Sequence, residues 1–185
     1  MSYLILLLAI SFILTVHFVA YRFFIIAFRI RRKRIKKALF LILEILSFSF
    51  IISAILSRVW ANGFIKIFYL ISSIWYGFMV NFIMAMGLFL IVLIISKISK
   101  FKINKVLISR IFLALTVLYS IFGIYSAFFP IIKNLTVSIR DLPEEWEGKT
   151  IVQLSDIHLG QIIGTRFMNR VNEKVDEINP EIVVI

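Results

Sequence analysis

Near the end of the 185-residue sequence an Asp and a His stand two positions apart, in Leu154-Ser155-Asp156-Ile157-His158-Leu159-Gly160. A carboxylate offers a hard oxygen and an imidazole a borderline nitrogen, a pairing that suits Mn²⁺, Fe²⁺ or Zn²⁺ better than Ca²⁺. In an extended chain residues i and i+2 point to the same side. Asp156 and His158 are therefore expected to converge on one cation while Ile157 turns toward the interior. Gly160 lets the backbone pass close to a ligand. The sequence has no Cys, which excludes disulfides, thiolate catalysis and Cys-based zinc or iron–sulfur sites. Asp-x-His alone is short enough to occur on any solvated surface, so the elements around it carry the weight.

Thr150-Ile151-Val152-Gln153-Leu154-Ser155 is a β-rich run that ends at Asp156. From Thr165 to Ile178 the apolar residues Phe167, Val171, Val175 and Ile178 fall on one helical face. Thr165 is the expected N-cap, and Asn179-Pro180 stops the helix. Glu181-Ile182-Val183-Val184-Ile185 begins another apolar strand. Strand, helix, strand predicts a βαβ unit with parallel strands. Ligands of such sheets bind at the carboxyl ends of the strands, where Asp156 lies. Upstream, Leu135, Val137 and Ile139 alternate with Thr136, Ser138 and Arg140, which predicts a half-exposed strand. The acids, Pro143 and Gly148 that follow read as a solvated turn region.

The rest of the chain is of another kind. The sequence is 61% hydrophobic and 17% charged, with a mean hydropathy of +1.00. Soluble domains are about 45–50% apolar and about 25% charged, so the composition points to a membrane protein. Crossing the hydrocarbon core takes roughly 20 apolar residues in a helix, and residues 3–28, 38–57, 67–96 and 106–132 qualify. The third is too short to cross twice and reads as one tilted helix. The first has no basic leader and no small-residue cleavage site, so it is not a secretory signal. A four-helix transmembrane domain is thus expected over 1–132 and a second domain over 133–185.

Charge sets the expected orientation. Residues 1–140 hold 17 Lys or Arg against one acid, Glu44, and residues 141–185 hold four against nine acids. Arg29, Arg31, Arg32, Lys33, Arg34, Lys36 and Lys37 follow the first segment, and Lys97, Lys100, Lys102, Lys105 and Arg110 follow the third. Only Arg58 and Lys66 lie between the second and third. The first and third loops are expected on the cytoplasmic side, with the N-terminus and the 133–185 domain extracytoplasmic. Basic blocks between apolar runs, without an aromatic-lined basic groove, argue against nucleic acid and make the lipid bilayer the partner. Within the segments, His17 and Asn81 are expected to hydrogen-bond between helices. Arg22 and Arg110 are expected to snorkel, and Glu44 to reach the interface or pair with Lys36 or Lys37.

With its strand in front and its glycine behind, Ile151-Val152-Gln153-Leu154-Ser155-Asp156-Ile157-His158-Leu159-Gly160 resembles the first block of the calcineurin-like metallophosphoesterases. Apolar helices ahead of this block resemble the family's bacterial membrane-anchored branch, in which Leu-Pro-x-x-aromatic-x-Gly leads into the first catalytic strand. Leu142-Pro143-Glu144-Glu145-Trp146-Glu147-Gly148 fits that pattern, and Asn179 to Ile185 resembles the strand that runs into the family's second block, Gly-Asp. The resemblance covers residues 135–185 in detail and the membrane half in layout only.

The resemblance implies the N-terminal βαβ part of an α/β metallophosphoesterase sandwich behind a multi-pass helical membrane domain. It also implies hydrolysis of phosphate esters at a centre of two cations about 3.5–4 Å apart. Asp156 and His158 carry over as ligands of the first metal, and no catalytic residue carries over. The sequence contains no Gly-Asp, Asn-His or Gly-His-x-His block. A chain truncated after the first metal-binding block is therefore expected, with one partial site and no activity alone. The substrate is expected to be a soluble phosphate ester, such as a nucleotide, or a lipid-linked phosphate or pyrophosphate at the outer leaflet. The competing expectation is a membrane scaffold or sensor with a vestigial phosphoesterase end.

Overall fold

The computed structural model describes residues 2–60, 62–160 and 162–185. The chain divides into two compact units, the first through Gly123 and the second from Ile124 to Ile185.

The first unit is built from four helices, α1 (Ser2–Ala27), α2 (Lys33–Val59), α3 (Gly63–Ile98) and α4 (Lys105–Phe128), the last of which runs on into the second unit. Each is long and apolar enough to cross a membrane. α2 begins at Lys33 rather than at 38, because Lys and Arg are good helix formers and need no apolar environment to continue a helix. α3 begins at Gly63 rather than at 67, behind a cap: the Asn62 side-chain oxygen accepts from the Ile65 N–H at 2.9 Å. α4 ends at Phe128 rather than at 132, because Pro130 disfavours helical backbone in the residue before it.

α1 ends in a way the sequence does not advertise. Arg29 adopts a left-handed backbone, φ 52°, at the position where glycine is usual. Its N–H donates to Ile26 O at 3.2 Å and the Ile30 N–H donates to Ile25 O at 3.0 Å, the bonding of a Schellman motif. The neighbouring Ala27 carbonyl takes its partner from another helix: Arg110 Nε donates to it at 2.9 Å. Arg110 therefore caps α1 rather than only reaching for the interface.

Ala20, Phe23 and Ala27 of α1 are buried against Met79, Phe82 and Phe89 of α3. Both sets follow helical spacing, so each helix offers one face. The Phe23 ring stands edge-on to Phe82 (5.1 Å, 83°) and to Phe89 (5.4 Å, 84°), and Phe89 stands edge-on to Phe112 of α4 at 5.7 Å. Edge-to-face pairs exploit the ring quadrupole, and the two alanines leave room for the rings. On α2 the buried face is Leu43, Ser47, Ser49 and Ser53. The serine hydroxyls bond back to carbonyls of their own helix, at 2.6, 2.7 and 2.9 Å, which satisfies them internally and keeps the interface narrow. Small and self-satisfied residues are what helices need to approach in lipid, where burial of apolar surface drives little. Glu44 is half-buried and forms no ion pair among the described residues.

His17 and Asn81 do bond between helices. Trp75 Nε1 donates to His17 Nε2 at 3.2 Å, and His17 Nδ1 lies 2.9 Å from the Ile13 carbonyl. An indole nitrogen only donates, so Nε2 is the acceptor and the His17 proton sits on Nδ1. Asn81 Nδ2 donates to Ser120 Oγ at 3.0 Å, tying α3 to α4. His17→Leu is expected to cost about 1 kcal/mol in denaturant titrations in bicelles, and His17→Gln, which keeps an acceptor, less. Equal losses in the two variants would show that the bond to Trp75 is not what matters.

The second unit holds a 3₁₀ turn (Glu144–Trp146), strand β1 (Ile151–Gln153), helix α5 (Thr165–Ile178) and strand β2 (Ile182–Val184). β1 and β2 pair in parallel with Ile151 opposite Ile182, Val152 opposite Val183 and Gln153 opposite Val184. The sheet has these two strands and no sandwich forms around it among the described residues. The alternating segment 135–140 is exposed throughout and joins no sheet, because alternation fixes which side chains share a face without supplying a partner strand. Thr165 is the first residue of α5, not its cap. Gly164 is the cap and makes no side-chain bond. At the other end Asn179 turns left-handed, φ 48°, and its N–H bonds to Val175 O and Asp176 O. Asn tolerates that conformation, and Pro180 prevents the helix from resuming.

Candidate metal site

Backbone pairing delivers the site. The Glu181 N–H donates to Thr150 O at 3.0 Å and the Leu154 N–H donates to Val184 O at 2.8 Å. The ladder thus runs up to Leu154, two residues short of Asp156. Inward positions Val152, Leu154 and Ile157 are half-buried, whereas Asp156 and His158 are exposed.

The extended geometry expected between Asp156 and His158 is absent. Both residues are left-handed, φ 56° and φ 43°. Asp and His are among the few side chains found there with some frequency, at a cost of about 1–2 kcal/mol per residue. The chain bends at each, and the side chains end on the same side by this route: Asp156 Oδ1 lies 3.9 Å from His158 Nε2. The loop then closes through the Gly160 N–H to Ile163 O at 2.8 Å, just ahead of α5.

The donor types, one carboxylate and one imidazole, are of the kind that divalent cations take. With each donor about 2.1 Å from the ion, tetrahedral or octahedral angles require donors about 3.0–3.4 Å apart. The observed 3.9 Å is wider than that, and both side chains are 85% or more exposed. Among the described residues no cluster of three or more His, Asp or Glu stands ready for a metal. The site therefore offers two protein donors and leaves the remaining coordination open.

Two further residues of this unit act structurally and carried no mark in the sequence. Glu181 fastens the start of the ladder: its Oε2 accepts from the Thr150 N–H at 2.7 Å and its Oε1 lies 3.2 Å from Lys149 Nζ. The Thr150 N–H, and after it the Lys149 ammonium, hold the Glu181 carboxyl below the usual carboxylate value. A carboxyl with a lowered folded-state pKa stabilises above its unfolded value and loses that contribution as pH falls through the folded one. Exchange of the Thr150 and Leu154 amides is therefore expected to accelerate as pH drops through the acidic range, after correction for intrinsic exchange. In Glu181→Gln that pH dependence should vanish. The second residue is Arg170, whose Nη1 donates to Phe128 O at 2.7 Å while its guanidinium sits 5.2 Å from the Phe129 ring centre. It satisfies a carbonyl that the end of α4 leaves open and adds a cation–π contact.

A cavity of about 360 Å³ lies beside β1, lined by the 130–135 segment and the inner face of α5 (Val171, Val175, Ile178). Asp156 and His158 are not part of its wall.

Against known proteins, the chain is similar to a transmembrane protein with metallophosphoesterase domain from Danio rerio, 35% identical over 74 residues. The match takes in 40% of this chain and 17% of that protein's length. No protein-family model matches the chain. No solved structure matches it. Four apolar helices and this likeness together support a multi-pass membrane protein.

Proposed function

We propose that the chain is the membrane anchor and first metal-binding block of a metal-dependent phosphoesterase, with Asp156 and His158 as ligands of one divalent cation. The observation that carries this reading is the convergence of Asp156 Oδ1 and His158 Nε2 to 3.9 Å beyond a parallel-paired strand. The likeness to a transmembrane protein with metallophosphoesterase domain supports it. Asp156 brings negative charge and a hard oxygen, and His158 a nitrogen that accepts the metal through Nε2. Mn²⁺, Fe²⁺ or Zn²⁺ suits that set, and bound there it would supply Lewis-acid polarisation of a phosphoryl oxygen. Exposure of both side chains leaves the open coordination positions accessible to a phosphate ester.

In this reading the domain boundary falls at 132–133, and the layout is that of the bacterial membrane-anchored branch of the calcineurin-like family. The basic first and third loops are cytoplasmic and the 133–185 domain lies outside. That location brings lipid-linked phosphates at the outer leaflet within the substrate class alongside soluble esters. Two donors hold a cation weakly, and the described residues include no cluster of three or more His, Asp or Glu, so these 185 residues alone are expected to be inactive. The purified chain with Mn²⁺ and a chromogenic phosphodiester should show no turnover above that of Asp156→Ala. Turnover that Asp156→Ala abolishes overturns the inactivity. The coding sequence beyond Ile185 tests the family: continuation into Gly-Asp, Asn-His and Gly-His-x-His supports it, and a stop codon there favours a scaffold or sensor.

A further inference from the structure

The helical unit gathers its positive charge at one end. Seven Lys or Arg lie between Arg29 and Lys37 and five between Lys97 and Arg110, with no Asp or Glu in either stretch. All but the half-buried Lys36 are exposed, and among the described residues none of them forms an ion pair. The two stretches are neighbours, because Arg110 Nε donates to the Ala27 carbonyl, two residues before Arg29, at 2.9 Å. Ile108 and Phe112, on either side of Arg110, pack against the buried cluster that includes Ala27 and Phe89. Large apolar side chains are interspersed among the cations: Phe28, Ile35, Ile98 and Phe101 are 55%, 47%, 75% and 70% exposed.

Uncompensated like charges repel, and a partner carrying negative charge relieves them. A soluble polyanion matches the cations but leaves Ile98 and Phe101 in water. A phospholipid matches both, since its phosphate takes Lys and Arg while the boundary between headgroup and acyl chain takes the apolar side chains. Charge segregation by the positive-inside rule needs basic residues in each loop separately. It does not need the two loops tied side by side.

We propose that the α1–α2 and α3–α4 loops form one binding surface for anionic phospholipid headgroups in the leaflet where these loops lie. The surface selects phosphate-bearing lipids of net negative charge over zwitterionic ones. It is shared, so weakening either loop weakens the whole. This inference does not depend on the phosphoesterase reading.

The test offers the full chain in detergent an equimolar mixture of dioleoylphosphatidylglycerol and dioleoylphosphatidylcholine and reads retained lipid by native mass spectrometry. Each basic residue near an anionic surface contributes roughly fivefold in partitioning. The native chain should therefore favour the anionic lipid by about tenfold or more. Arg31→Gln with Arg32→Gln, and separately Lys100→Gln with Lys102→Gln, should each lower that preference by roughly fivefold or more. Arg58→Gln with Lys66→Gln, which flank the connection at the opposite end of α2 and α3, should leave it intact. Millimolar inorganic phosphate should not displace the lipid. Equal retention of the two lipids by the native chain overturns the proposal whatever the variants do. So does an unchanged preference in either loop variant, an equal loss in the Arg58 and Lys66 variant, or displacement by free phosphate.

Discussion

Phe82→Ala is expected to destabilise the helical unit by about 2–3 kcal/mol, the largest effect of any single truncation in it. Phe82 is 2% exposed and its ring lies 5.1 Å from Phe23, 5.8 Å from Phe24 and 6.1 Å from Phe78. In a soluble core the loss would be about 3–5 kcal/mol, part of it transfer from water. In a bilayer the unfolded reference is already apolar, so that part drops out and the packing part remains. Removing roughly 100 Å³ at about 24 cal/mol per Å³ of residual cavity gives about 2 kcal/mol, and the lost ring contacts, edge-to-face with Phe23 and stacked with Phe24 and Phe78, add about 0.5–1 kcal/mol. Unfolding in bicelles with increasing SDS measures the change. Leu88→Ala is the control, since Leu88 is 59% exposed and Ala is the better helix former. A loss as large at Leu88 as at Phe82 would mean that the aromatic cluster does not set the stability.

Asp156→Ala is expected to lower the affinity of the full chain for Mn²⁺ by about tenfold or more, since even groups that only support a metal ligand cost about 10–100-fold. Asp156 supplies the one carboxylate of the pair, so the loss removes charge as well as a donor. His158→Ala should weaken binding too, and the double variant should fall no further than the level of non-specific binding to the remaining acids. Isothermal titration in a buffer that does not chelate metal reads all three. The acids of the 144–147 turn give an internal check. Glu144→Gln with Glu145→Gln removes more negative charge than Asp156→Ala but neither of the converging donors, and should leave the affinity near that of the native chain. A larger loss there than at Asp156 would assign the metal to the acidic turn.

Much of the helical unit is legible in the sequence because lipid imposes a length and a polarity that few other environments demand. The same logic exposes His17 and Asn81: a polar group in an apolar helix has to find a partner, and Trp75 and Ser120 are those partners. The end of α1 is not legible. Its signal is ordinarily a glycine, and here Arg29 takes the left-handed position while Arg110, far along the chain, answers the Ala27 carbonyl. In the second unit, α5 and the parallel pairing of β1 with β2 follow from apolar spacing and from Asn179-Pro180. The 135–140 segment shows the limit of that reasoning, since a strand needs a neighbour as well as a pattern. At the candidate site the residue types point to a metal, but the two left-handed bends that bring them together are invisible in Asp-x-His. Glu181 and Arg170 are missed for a common reason: a charged residue carries no record of which distant N–H or carbonyl it will meet.

Electron–nuclear double resonance of the Mn²⁺-loaded full chain tests most directly whether Asp156 and His158 share one cation. A nitrogen coupling from a directly bound imidazole should appear in the native chain and disappear in His158→Ala, while Asp156→Ala should weaken binding and shift the signal toward that of the hydrated ion. A spectrum without nitrogen coupling, or one that both variants leave unchanged, would contradict a metal held by this pair.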